Sequence, residues 1–277
     1  QMRQQVLADG VVVLTRMGDH VAAARLADEA LELSVIAGHR WWQAMLESWR
    51  GLLAGRMGDL AEAERACRVS RSMALADGNV HMAGLGGWVL SSVLLAGHRV
   101  AEAEPMLRDS LRASLQSGDR RSASFCLLGL STTARLRGQV AEAAMHLRGG
   151  LLMAQESSDW IGTTYALAAA VVLATATRHH AGAAKLWGVV AADAGALHRV
   201  MPGEPECLDR AVEETRRALG DEQFQSASRV GRELSWRSVT IDALEVIDAV
   251  MHEAAVPSPA RALATSGRSF TNPDRLT

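Results

Sequence analysis

The residue types with reactive side chains come in few suggestive arrangements along this 277-residue chain. His179-His180 is the one adjacent histidine pair, but no Asp, Glu or Cys stands at ligand spacing and no HExxH occurs, so capping or surface exposure is the expected role. Gly84-Leu85-Gly86-Gly87 has the glycine content of a phosphate loop, yet no strand precedes it and no Lys-Ser/Thr follows. Close helix packing is the better use for such small residues. Cys67, Cys126 and Cys207 are odd in number and lack a CxxC pair, which argues against a disulfide framework, a zinc knot and, without a positioned base, a nucleophile. The carboxylates fall on solvated helix faces, away from apolar neighbours that would raise a pKa. The sequence thus predicts no catalysis, no metal and no cofactor in this segment.

Charge adds little. Twenty-nine basic residues, of which Lys185 is the one lysine, meet 31 acidic ones for a net charge of -2, so no electrostatic footprint for nucleic acid exists. With 48% hydrophobic and 4% aromatic residues the chain can bury a sizeable core. Two uncharged stretches, Met82 to Gly97 and Trp160 to Thr177, are interrupted by Gly, Ser and Thr and read as buried helices rather than spans. The opening residues lack the blocks of a secretory leader, and unpaired cysteines fit a reducing compartment, so a cytoplasmic protein without membrane contact is expected.

The elements that would position any surface are legible from a repeat. Ala23, Ala63, Ala103, Ala143 and Ala183 recur every 40 residues, with Gly18, Gly58 and Gly138 five residues before the motif and Gly38, Gly78 and Gly118 fifteen after it. Glycine at such points suits a helix C-cap, because it enters the left-handed region without a Cβ clash. Asp59 with Glu62 has capping-box form, and Asp19 and Gln139 occupy the same slot. Apolar stripes such as Leu26, Ala27, Ala30, Leu31, Val35 have helical phase, while the alternate helix is apolar all round (Trp42, Met45, Leu46, Trp49). The expected fold is all-α: a right-handed superhelical solenoid of four to five helical hairpins, each about 40 residues, with almost no strand. Pro105 falls inside a repeat helix and predicts a kink or a late helix start.

Residues 1–198 are then the solenoid and 199–254 a helical C-terminal cap, with 199–206 as its connecting loop. Residues 255–277, rich in Pro, Ser, Thr and Arg, read as a flexible linker. Register brings Trp41, His81 and Arg121 into one slot, with Arg40 and Arg120 beside it and Trp88 seven residues beyond His81. Arg and aromatic residues on a concave wall would suit a protein partner or a small-molecule ligand; the other reading of the tryptophans is that they are core side chains.

Gly-Asp-Leu-Ala-Glu-Ala at 58 to 63 resembles the start of the second helix in tetratricopeptide-like repeats of bacterial regulators. AGAAKLWGVVAADA at 181 to 194, Pro202-Gly203-Glu204, and Ala218 to Phe224 with Gly231 to Ser235 are similar to the segment that closes the repeat region of large ATP-dependent, MalT-like regulators of the LuxR family. Trp236 departs from that pattern, where a small or acidic residue is usual. The resemblance implies a sensor domain between an upstream ATPase and a downstream DNA-binding helix-turn-helix, the latter beginning near Leu276-Thr277. In that family, inducer or partner binding on the repeats biases the ATPase towards an assembled, DNA-binding form. None of its ATP or DNA contacts falls on a residue of this sequence. A free-standing repeat adaptor and an accessory domain of a nucleotide-cyclase-type regulator are the alternatives.

Overall fold

In a computed structural model, which describes residues 2–192 and 204–255, the chain is a tandem stack of α-helices. The expected linker beyond Ala255, and 199–203 of the expected connecting loop, lie outside the described residues. The array comprises α1 (Met2–Met17), α2 (His20–Ile36), α3 (Arg40–Arg56), α4 (Leu60–Ala76), α5 (Val80–Ala96), α6 (Val100–Gln116), α7 (Arg120–Leu136), α8 (Val140–Glu156), α9 (Trp160–Ala176) and α10 (His180–Ala192). Three more helices follow: α11 (Glu204–Leu219), α12 (Asp221–Arg232) and α13 (Trp236–Ala255). No strand occurs among the described residues.

The regularity comes from one turn used at every 20th residue. Asp59 N–H donates to Ala54 O at 2.9 Å and Gly58 N–H to Gly55 O at 3.2 Å, the Schellman pairing that satisfies the last carbonyls of α3. The same two bonds recur at 18, 38, 78, 98, 118, 138, 158 and 178. At 18, 38, 58, 78, 118 and 138 the left-handed residue is glycine. His98, Ser158 and Arg178 hold the same conformation at φ 59°, 52° and 67°, which a side chain adopts at a cost. The next residue caps the following helix: Asp19, Asp59, Asn79 and Asp119 each accept the N–H three residues on, and Asp159 accepts that of Ile161. The capping box at Asp59 is only half made. Glu62 turns instead to Arg65 and Arg50.

Each helix from α2 to α9 has 17 residues, and two such helices with their turns fill the 40-residue period. α3 packs more extensively on α4, α5 on α6 and α7 on α8 than any of them does on the helix to its other side, so each of these hairpins begins with its more deeply buried helix. Those odd-numbered helices also pack on one another (α3 on α5, α5 on α7, α7 on α9), forming a continuous inner row, whereas successive even-numbered helices of the repeats do not pack on one another to that extent. The even-numbered outer helices wedge between them through small residues at their fourth, eleventh and fifteenth positions: Ala23, Ala30 and Ser34 in α2, Ala63, Ser70 and Ala74 in α4, Ala143, Gly150 and Ala154 in α8, all buried. Backbones approach closely enough that Ser70 Oγ donates to Ala44 O and Ser131 Oγ to Ala143 O. Gly84, Gly86 and Gly87 do this work within α5. A Cβ on Gly87 would lie 2.1 Å from Ser110 Oγ.

Two expectations need correction. α6 begins at Val100 in step with its siblings, so of the two outcomes expected at Pro105 the late start is the one excluded. Pro105 and Ala101, whose carbonyl loses its partner, both face water, which hydrates the orphan at little cost. The connecting loop also ends sooner than expected. α11 starts at Glu204 and carries Pro205 in its first turn, where no N–H is needed.

After α10 the 20-residue step is abandoned. α11 takes the next place beside α9, joined by Thr175 and Thr215 hydroxyls 2.8 Å apart. α12 crosses α10 almost backbone to backbone, and α13 lies over α8, α9 and α10, with Lys185 Nζ 2.7 Å from Asp242 and Arg148 Nε 2.9 Å from Asp248. Trp236, at the start of α13, is half-exposed. No helix among the described residues is long and apolar enough to cross a membrane.

Candidate functional site

The slot shared by Trp41, His81 and Arg121 is the second position of three inner helices, at the edge of the array beside the turns. Two of its members reach across to the next hairpin. His81 Nδ1 lies 3.1 Å from Asp119 Oδ2, and Arg121 Nε lies 3.2 Å from Asp159 Oδ2. Each of those aspartates is at the same time the N-cap of the next inner helix, using its other oxygen: Asp119 Oδ1 accepts from Ser122 N–H at 3.0 Å, Asp159 Oδ1 from Ile161 N–H at 3.2 Å. One carboxylate therefore fixes a helix start and ties two repeats together. Arg40 pairs with Asp77 at 2.8 Å, and Arg120 with Glu156. These cations are answered within the fold, and an exposed pair of this kind contributes ~0–1 kcal/mol. Trp41, opposite the Asn79 cap, has no carboxylate to meet; it packs edge-on to Trp42 with ring centroids 4.8 Å apart and stays 44% exposed.

Apolar side chains crowd the same edge. Val35, Leu75 and Leu115, the sixteenth residues of α2, α4 and α6, are exposed, as are Ile36, Val80 and Trp160.

Further along the inner row the six candidates separate. Trp88 belongs to an aromatic ladder, stacked on Phe125 with centroids 4.6 Å apart and planes 25° apart. Phe125 continues to Tyr165 at 6.1 Å, and the Arg121 guanidinium carbon stands 6.0 Å from the Phe125 ring. Sequence reasoning missed this ladder. Its signal was the 40-residue spacing of Phe125 and Tyr165, just as an acid 38 residues after His81 and Arg121 marked the edge ties.

Other titratable groups serve packing. Arg50 lies among Asp28, Glu47 and Glu62 at 2.9, 3.2 and 3.1 Å, joining α2, α3 and α4. Burial pushes the Glu47 carboxyl above the usual carboxylate range, and the Arg50 charge only partly offsets it. Burial likewise pushes the Cys67 and Cys126 thiols up to about 12, far from the thiolate that nucleophilic chemistry requires. His179 Nε2 lies 3.2 Å from Glu253 and its Nδ1 3.1 Å from Thr177 Oγ1, so it clamps α13 to the last repeat turn. Beside it an open cleft of about 340 Å³ is lined by His180, Gly182, Glu245 and Val246. No group of three His, Cys, Asp or Glu side chains able to hold a metal occurs among the described residues. No protein-family profile matches this chain, and no curated protein sequence matches it.

Proposed function

We propose that this chain is the sensor and protein-interaction repeat region of a LuxR-type bacterial transcriptional regulator. It binds a protein partner or a small-molecule inducer and passes that binding to an upstream ATPase and a downstream helix-turn-helix in the cytoplasm. The observation that carries the reading is the resemblance of residues 181 to 244, within which α12 packs on α10 and α13 begins its course over α8, α9 and α10. The inner row adds support: Trp88, half-buried at the end of a ladder whose Phe125 and Tyr165 lie in the core, and the exposed Arg121 guanidinium over the Phe125 ring bring one aromatic edge and one cation to the same stretch of surface. The segment itself performs no chemistry in this reading. It works by differential contact, since a ligand shifts an equilibrium only as far as its affinities for two states differ.

The direct test is in the reading frame around this segment. A GxxxxGK[ST] loop following a strand upstream of α1, with a helix-turn-helix downstream, supports a regulator; a frame holding neither is that of a free-standing adaptor and overturns the reading. In the intact regulator, Trp88→Ala is expected to weaken the response of ATP hydrolysis to inducer at least tenfold while leaving the far-ultraviolet helical signal unchanged. An unaltered response would remove the ladder from the ligand site.

A further inference from the structure

The first helix of the array carries a face that every later inner helix buries. In α3 the seventh and fourteenth positions are Leu46 and Leu53, both fully buried. Leu46 packs with Ala8 and Ala30, and Leu53 with Val11, Ala23 and Ala27, so the cover comes chiefly from the preceding outer helix α2. The same positions are Val93 in α5, Cys126 and Thr133 in α7, and Ala166 and Leu173 in α9, all buried. Carried back 40 residues, they are Val6 and Val13 of α1, which are 63% and 53% exposed. Asp9 stands between them, exposed, in the place that Trp49 holds in α3.

We propose that this Val6, Asp9, Val13 face is a docking surface for one further outer-type helix, supplied in tandem on the amino-terminal side of α1 and stacked there in the register α2 holds on α3. Continuity with the existing interfaces defines the occupant. It is an amphipathic helix of about 17 residues with alanine, serine or glycine at its fourth, eleventh and fifteenth positions, the stripe that α2, α4 and α8 present. It also carries a basic residue at its seventh position. There α2 has Leu26, which meets Trp49 in a shared apolar cluster, and the aspartate in place of that tryptophan calls for a cation instead. A second copy of this chain does not supply such a helix from its far end. α12 occupies the face of α10 that would have to stack, with a Cβ on Gly188 placed only 2.0 Å from Ser228 O, and α13 lies across α8 and α10. The inference is independent of the regulator reading, for it concerns only how the array continues.

The test extends the full chain with its own outer helix. A copy of residues 20–40 joined directly before Gln1 places a Schellman turn in step with α1. The expected result is a rise in thermal midpoint of at least about 3 °C, with protected amides in the added helix. Changing Leu26→Arg in the added copy alone, to meet Asp9, is expected to raise the midpoint further. Val6→Glu with Val13→Glu should erase the gain in the extended protein while leaving the unextended midpoint within about 1 °C, because both side chains are solvated there. Two results would overturn the proposal. One is an extension that exchanges freely and leaves the midpoint unchanged. The other is an unextended chain that sediments as a dimer and becomes monomeric with Val6→Glu and Val13→Glu, which would assign the face to a second copy.

Discussion

At its amino-terminal end the array leaves Val6 and Val13 uncovered on α1, whereas at its far end α10 and α12 cross with backbones in contact and α13 lies across three helices. A Cβ on Gly231 would stand 1.9 Å from Lys185 O, and Ser228 Oγ donates to Ala184 O at 3.1 Å. Both ends are made of the same kind of helix. What differs is neighbours: a repeat buries its apolar stripe only against the next one, so an array either continues or must be closed by something that breaks its step. Here the glycines of α10 and α12 permit that break.

The contrast can be broken most forcefully at the closure. Gly188→Val places carbon where Ser228 carbonyl already stands, and backbone cannot yield as a side chain can; we expect a loss of more than about 3 kcal/mol in urea denaturation, with α11 to α13 released first. Second in size is truncation in the middle of the stack. Leu147→Ala removes a fully buried side chain and should cost about 2–5 kcal/mol, while Val6→Ala at the open end should stay within about 0.5 kcal/mol. Equal losses at the two sites would show that α1 is covered in solution.

The edge ties come next. Asp119→Ala removes both the cap of α7 and the partner of His81, for a loss of about 1 kcal/mol, whereas Gln139→Ala, which caps nothing, should be near neutral. The smallest change is a gain. His98→Gly relieves a left-handed side chain in an otherwise unchanged turn and should stabilise by roughly 0.5 kcal/mol, the relief being partly offset by the greater freedom of glycine when unfolded.

How much of this was readable beforehand follows from which residues carry local information. Gly18, Gly38 and Gly58 announce their turns because no other residue enters the left-handed region so easily, and the alanines every 40 residues announce close helix packing. The turns at His98, Ser158 and Arg178 carry no such mark; they form because the helices on either side are already held in place, so only the period points to them. The same holds for the candidate surface. Register brought Trp41, His81 and Arg121 to one slot, but their pairing with caps in the next hairpin depends on how repeats stack, and so does the meeting of Trp88 with Phe125. The early start of α11 at Glu204 was hidden by Pro205, read as loop although a proline in a first turn is harmless.

Native-state hydrogen exchange of the full chain tests most directly the claim that each helix is held by its neighbours, with one end open and the other closed. The account predicts protection that rises from α1, lowest of the repeat helices, to a maximum in α9, which packs against α7, α8, α10, α11 and α13. Uniform protection from α1 to α9, or a maximum at α1, would contradict it.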